Sequence, residues 1–339
     1  MTKKERVVSG MRPTGSLHLG HYHGVLKNWL KLQAEYECYF FIADWHALTT
    51  HYDDHAHIAK DVFDMAATWL AIGIDPKKSP IFIQSQMHEH AQLHLLLSMI
   101  TPLSWLMRVP TYKDQQEKLK EKDLATYGFL GYPLLQAVDI FAYNANFVPV
   151  GEDQIPHIEM AREIARRFNF MYQCEVITPP QVLLTKASKL PGLDGQKMSK
   201  SYNNTVALND PPKVVEQKIK TMPTDPARVR RTDKGEPERC PVWQFHKIYS
   251  DEDTKEWVQT GCRSAGIGCV ECKAPIIKAI NEELAPIQEK MQHYHANPDE
   301  VSAILEQGTI DARKTAEQTL SEVKKAMGLI YPYMKKEAD

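Results

Sequence analysis

Two lysines and two serines surround a methionine in the run Gly192-Leu-Asp-Gly-Gln-Lys197-Met-Ser-Lys200-Ser201. Two histidines, His18 and His21, sit in the glycine-rich run Gly10-Met-Arg-Pro-Thr-Gly-Ser-Leu-His-Leu-Gly-His-Tyr-His-Gly24. Ammonium groups on a glycine-flanked loop are point-charge partners for phosphate, above all for a pyrophosphate leaving group whose charge grows as it departs. A neutral imidazole at a helix N-terminus hydrogen-bonds phosphate oxygens, and glycine lets backbone N–H groups approach them. The chemistry these types suggest is phosphate handling. Standard nucleotide loops do not fit: Gly10 and Gly15 have the Walker spacing, but Ser16-Leu17 stands where Lys and Ser/Thr are required, and no G-x-G-x-x-G is present. Taken alone, His-x-Gly-His also fits a polar turn.

A second group is Tyr132, Gln136 and Asp139, at helical steps that put all three on one face of an otherwise apolar helix. That face suits a pocket for an aromatic ring carrying a hydrogen-bond donor. Gly151-Glu152-Asp153 follows the strand-like run Asn146-Phe-Val-Pro-Val150 and opens a long helix, so it either holds a ribose or an amine or is a turn with acidic capping residues. A third group is Cys240, Cys262, Cys269 and Cys272, in the pattern C-x21-C-x6-C-x2-C. Four soft ligands point to a metal site rather than disulfides, and a single C-x2-C pair favours an iron–sulfur cluster over zinc. Zinc and metal-free thiols stay open. The clusters His51, His55, His57 and His88, His90, His94 are expected to be solvated helix starts and faces, since H-E-x-x-H fails at Gln92.

The elements that must position these groups alternate. Arg6–Ser9 is expected as a strand, followed by apolar residues at helical spacing from Val25. Residues 38–50 suggest a buried parallel strand carrying Asp44 and His46 at its C-terminal end, 54–73 a helix ending at Gly73, and 78–85 another strand. Strand–helix–strand alternation predicts an α/β fold with a doubly wound, Rossmann-like parallel sheet. Beyond Ser201 the periodicity is helical, over 211–222 and 275–334. We therefore expect a nucleotide-binding catalytic domain over 1–204 and an all-helical domain over 205–339, whose C-terminal end packs back on the first. The loop 224–239, with Arg228, Arg230, Arg231, Lys234 and Arg239, fits equally an RNA phosphate surface or a solvated loop.

Composition sets the limits. The 339 residues are 43% hydrophobic with a net charge of −2, a soluble globular profile that does not announce nucleic acid. No apolar run reaches transmembrane length and the N-terminus lacks a signal-peptide core, so the cytoplasm is the expected compartment, with no membrane partner.

His18-Leu-Gly-His21 resembles the HIGH signature, and Lys197-Met-Ser-Lys-Ser201 the KMSKS loop, of class I aminoacyl-tRNA synthetases, in the right order and about 180 residues apart. Ala43-Asp-Trp-His-Ala47 and Val148-Pro-Val-Gly-Glu-Asp-Gln154 with His157-Ile-Glu159 resemble the tyrosyl/tryptophanyl branch. The second of these, with Ala326-Met-Gly-Leu, is similar to its tryptophanyl members. His21 departs from a frequent Asn and Gln136 from a frequent Met, and Tyr-Pro-Leu-Leu-Gln-x-x-Asp also resembles the tyrosyl enzymes.

The resemblance implies an ATP-dependent, AMP-forming ligase that joins L-tryptophan to tRNA(Trp), with ATP·Mg²⁺ as substrate. It implies a homodimer and, for this cysteine pattern, a [4Fe–4S] cluster as in some bacterial relatives. It implies His18, His21, Lys197 and Lys200 as catalytic residues. Gly10, Met11, Arg12, Pro13, Thr14, Gly20, His21, Gly151, Glu152, Asp153, Leu190, Lys197, Met198, Ser199, Lys200 and Ser201 would form the ATP site. His46, Tyr132, Gln136, Asp139, Val150 and Gln154 would form the tryptophan site, with Asp139 accepting from the indole N–H. Tyrosyl-type specificity and an inactive synthetase-like binding module are the alternatives.

Overall fold

The computed structural model describes residues 4–109, 125–184 and 190–331. Its centre is strand β1 (Arg6–Met11), flanked by β2 (Glu37–Ile42) on one side and β4 (Phe147–Val150) on the other. Strands β3 (Ile81–Ile83) and β5 (Gln181–Leu184) lie outside them, giving the order β3-β2-β1-β4-β5. Every pairing is parallel. Both faces are covered, which is why the strands are almost continuously apolar. Val7, Phe40, Ile42 and Ile81 face one core, while Val8, Tyr39, Phe41 and Phe82 face the other. The expected α/β doubly wound sheet is therefore found. β5, half exposed at the sheet edge and preceded by two prolines, carries no pattern by which its sequence announces a strand.

The first connection runs through a single α-turn at Leu19–His21 and a π-turn at Tyr22–Leu26 into helix α1 (Lys27–Glu35). Irregular helix of this kind is common at functional sites. After β2 the chain turns at once into α2 (Asp44–His51), so Asp44 and His46 stand on a helix where the apolar run suggested a strand end. The β-forming run stops at Ile42, and the Asp44 carboxylate then accepts from the backbone N–H groups of Trp45 and Ser85, both at 3.0 Å. Next come α3 (Ile58–Ile72), α4 (His88–Ser98), α5 (Tyr132–Phe141) and α6 (Ile155–Met171).

Past residue 204 the described elements are mainly helical: α7 (Pro212–Thr221), α8 (Pro241–Tyr249), α9 (Glu252–Arg263), α10 (Cys269–Ala296) and α11 (Pro298–Ala326). The helical reading past residue 331 lies outside the described residues. The apolar core runs across position 204: Ile276, Ile280 and Leu284 of α10 share one cluster with Val62, Ala66 and Trp69 of α3. Helix α11 packs back on the sheet. A Cβ on Gly308 would lie 2.0 Å from the Ile81 carbonyl oxygen of β3, so helix and edge strand touch backbone to backbone. Covering β3 in this way removes one open sheet edge.

Candidate active site

In an open parallel sheet, ligands bind beyond the strand C-termini where the winding reverses, here between β1 and β4. A cavity of about 410 Å³ occupies that place. Gly10, Met11 and Arg12 reach it from the end of β1, and Val150, Gly151 and Gln154 from the end of β4. His46 comes from α2, while Tyr132, Gln136 and Asp139 come from α5. The structure thus brings together all six residues expected for the amino acid and four of those expected for the nucleotide. Burial lowers the Arg12 guanidinium from its ordinary value and raises the Tyr132 phenol.

Asp139 is only 2% exposed, and both its oxygens are engaged. Oδ2 accepts from His46 Nε2 at 2.7 Å, Oδ1 from His90 Nδ1 at 2.8 Å, and the Gln84 amide donates to both at 2.7 and 2.9 Å. Burial alone would raise this carboxyl, but the bonds from His46 and His90 outweigh it and hold the group below its ordinary value. Gln84 and His90 were not among the expected site residues. His90 is fully buried, which corrects the reading of its cluster as solvated, because α4 packs that turn against α5. His88 is exposed. The period-two spacing of His88 and His90, which puts them on different faces of α4, is the one local signal.

His18 and His21 continue the β1 loop. Their rings stack at 3.7 Å, and His21 Nδ1 accepts from the His18 backbone N–H at 3.4 Å, leaving Nε2–H to donate outward. Burial, then the neighbouring ammonium of Lys200, lowers His18 to about 4, and burial, then His18, lowers His21 to about 3, so both are neutral at pH 7. A Cβ on Gly20 would lie 3.0 Å from the His18 ring, so a larger residue there would crowd that stack.

The lysine loop folds over this segment. The Gly20 N–H meets Met198 Sδ at 3.3 Å, and Lys200 Nζ donates to the Thr14 carbonyl oxygen at 2.6 Å. Burial lowers Lys200 to about 8. Leu190 and Met198 are buried, Ser199 is half-buried, and Lys197 is exposed. Ser201 lies on the turn Lys200–Tyr202, its side chain outside the described residues. Asn204 ties the loop together from inside. It is 2% exposed, its Oδ1 accepts from the Ser199 N–H at 2.8 Å, and its Nδ2 donates to Asp194 Oδ1 at 2.8 Å and the Lys197 carbonyl at 3.1 Å. Pro13 is buried beside Thr14, whereas Glu152 and Asp153 are exposed on the turn before α6.

The four cysteines gather but do not close. Cys240 and Cys272 pack on a small cluster of Trp243, Val258 and Ile267. Burial, then the other three thiols, raises Cys272 to about 12. Cys272 Sγ lies 3.3 Å from His246 Nε2, and Cys262 Sγ 3.9 Å from an Arg228 nitrogen. Each of these two sulfurs therefore has its own neighbour, and among the described residues no three His, Cys, Asp or Glu side chains are placed to hold a metal ion. The expected metal centre of four cysteines is not formed by this placement. Arg228 is likewise buried, donating to the carbonyls of Arg231 and Ile267, and so is withdrawn from any RNA surface, while Arg230, Arg231 and Lys234 are exposed.

A parallel sheet with this crevice, a neutral histidine pair on the first loop and a lysine loop closed over it defines a class I synthetase catalytic unit. The chain matches the family model described as tRNA synthetases class I (W and Y) over residues 1–285. It is 53% identical to the tryptophan–tRNA ligase of Ralstonia nicotianae, across 96% of this chain and 99% of that protein. It is 52% identical to that of Thermotoga maritima, across 96% and 100%. The crystal structure of Campylobacter jejuni tryptophanyl-tRNA synthetase complexed with ADP and tryptophan superposes with a TM-score of 0.87 at 32% identity, over 96% of this chain and 100% of that one. The chain belongs to the class I tRNA synthetases of the tryptophan and tyrosine family.

Proposed function

We infer that the chain is a tryptophan–tRNA ligase. The tryptophan carboxylate attacks the α-phosphorus of ATP; a C–O–P bond forms, the α–β bridging P–O bond breaks, and pyrophosphate leaves. A terminal ribose hydroxyl of tRNA(Trp) then attacks the acyl carbonyl and releases AMP. The attacking carboxylate is already anionic, so the first step needs no general base and rests on positioning and charge stabilisation. His21 Nε2–H and His18 donate to phosphate oxygens, and Lys197 and Lys200 hold the departing pyrophosphate. Gly10, Met11, Arg12, Pro13, Thr14 and Gly20, with Gly151, Glu152 and Asp153, flank the nucleotide. Leu190, Met198, Ser199 and Ser201 complete its loop. Tyr132, Gln136, Val150 and Gln154 line the amino-acid pocket, and Asp139 with His46 supplies the acceptors for the indole N–H.

The observation that carries this reading is the meeting, at one switch point, of an aromatic-sized cavity backed by a buried carboxylate and a loop pair dressed for pyrophosphate. ATP–pyrophosphate exchange with tryptophan against tyrosine tests it. Exchange with tryptophan alone is expected, tyrosine alone would move the specificity, and no exchange would leave a binding module.

Three finer readings accompany it. The region 205–339 serves tRNA, with Arg230, Arg231 and Lys234 as exposed cations. Leu95, Met99, Leu103 and Met107, all exposed along and just after α4, would suit a homodimer contact. Cys240, Cys262, Cys269 and Cys272 would hold a [4Fe–4S] cluster, or zinc, on donor chemistry alone, since thiolate is the ligand both take. Iron, sulfide and zinc content of anaerobically purified protein decides that last reading. The compartment proposed is the cytoplasm; no described helix is long and apolar enough to cross a membrane.

A further inference from the structure

Behind the amino-acid pocket lies a buried pair outside the expected site, His90 and Tyr143, each 0% exposed. The His90 ring spans two partners: Nδ1 meets Asp139 Oδ1 at 2.8 Å, and Nε2 meets the Tyr143 hydroxyl at 2.8 Å. Proton accounting assigns the roles. An ionised carboxylate only accepts, so Nδ1 carries a hydrogen; in the neutral ring Nε2 is then bare and accepts from the Tyr143 O–H. Burial and the Asp139 charge both raise the Tyr143 phenol, so it keeps that proton.

The same accounting fixes the rest of the cluster. The Gln84 carbonyl accepts from the His46 backbone N–H at 3.3 Å, which turns its amide nitrogen toward Asp139. His46 donates from Nε2 to Asp139 Oδ2, and its Nδ1 is buried without a partner on a ring that lines the cavity. Four donor contacts from three segments thus fix one carboxylate, on a residue that lines the cavity.

We propose that His90, locked by Tyr143, is a positioning residue for amino-acid recognition: it keeps the Asp139 carboxylate oriented toward the substrate N–H and, through Asp139, holds the His46 ring beside it. This rests on the reading of the cavity as a tryptophan pocket. His90 touches neither substrate nor phosphates, so its loss raises KM for tryptophan and spares KM for ATP. Loss of the Tyr143 hydroxyl frees the other His90 tautomer, which would set a bare Nδ1 against a carboxylate oxygen. The ionisable groups facing this cluster are His46 on α2, Tyr39 on β2, Glu89 and His94 on α4, Tyr132 on α5, and Arg313 on α11 beside Glu89.

The test compares tryptophan with its benzothienyl analogue, in which sulfur replaces the N–H, by ATP–pyrophosphate exchange in wild type, Tyr143→Phe, His90→Leu and His90→Asn. Wild type should favour tryptophan strongly, because a site built to bond a donor rejects the analogue without it. Tyr143→Phe should cut that preference about threefold, and His90→Leu at least tenfold through KM for tryptophan. His90→Asn, whose amide can still donate to Asp139, should recover part of it. A general collapse of the pocket would lower both substrates equally and leave the ratio unchanged. An unchanged ratio in folded Tyr143→Phe and His90→Leu, or no preference in wild type, overturns the proposal. Wild-type exchange with tyrosine alone overturns the tryptophan reading instead.

Discussion

The ammonium of Lys200 donates to the carbonyl oxygen of Thr14 at 2.6 Å, joining two loops 186 residues apart in the chain. One atom therefore both closes the lysine loop on the glycine loop and holds a positive charge where pyrophosphate must leave. Lys200→Ala should lower the adenylation kcat on the order of 10²–10³-fold while KM for tryptophan hardly moves, as for removal of one preorganised donor. Equal losses in rate and tryptophan affinity would mean uniform binding. Because burial lowers Lys200 to about 8, kcat/KM for ATP should fall as pH rises through that value. Lys200→Arg, charged throughout, should show no such alkaline limb.

Asn204 makes the same loop a unit. Its side chain bonds Asp194, Lys197 and Ser199 while nearly fully buried, so truncation leaves the Ser199 N–H and Lys197 carbonyl without that partner. Asn204→Ala should lower kcat about tenfold with tryptophan binding intact, the scale of one unsatisfied buried group. Stopped-flow adenylation beside equilibrium tryptophan titration separates the two, and an unaffected rate would deny Asn204 its part in shaping the loop.

How far the site could be read ahead of the structure depended on locality. Gly10, His18, His21, Lys197 and Lys200 declare themselves because phosphate binding needs particular residue types at short spacing. Tyr132, Gln136 and Asp139 declare a shared face because a helix repeats every three to four residues. Gln84, His90 and Asn204 do not, since each is polar in a locally ordinary setting: the first two acquire their role only when the distant α5 packs over them, and Asn204 only when the neighbouring lysine loop folds back on it. β5 is short and half exposed at an edge, and shows no period. The boundary near 204 rests on a change of periodicity, and periodicity says nothing about Ile276 or Leu284 sharing a core with Trp69.

Stability should carry the mark of the neutral histidine pair. His18 and His21 titrate near 6.5 when unfolded but at about 4 and about 3 when folded. Between those values the unfolded chain binds protons that the folded chain does not. Their contribution is thus fully present above about pH 6.5 and is lost as pH falls through the folded values. His21→Asn should therefore show a shallower decline of Tm between pH 6.5 and 4 than wild type. Parallel Tm curves in differential scanning calorimetry would show that His21 is charged in the fold.

Gly308 sets how closely α11 lies on β3. An added Cβ would fall 2.0 Å from the Ile81 carbonyl oxygen and within 2.9 Å of its nitrogen, and backbone cannot swing aside as a flexible side chain can. Either the helix lifts or the edge strand bends, and both disturb the apolar seam of Ala312, Ala316 and Leu320 against the sheet core. Overpacking of this kind costs about 1–3 kcal/mol for one methyl and more for a branched side chain. Gly308→Ala should lower Tm by several degrees and Gly308→Val by more. Tyr39, whose hydroxyl bonds Thr315 on the same helix at 2.9 Å, gives a control. Tyr39→Phe keeps the packing and loses only the hydroxyl's bonds to Thr315 and Glu37, so its effect should be the smallest of the three. If Gly308→Val melts where wild type does, α11 does not rest on β3 and the close approach is absent in solution.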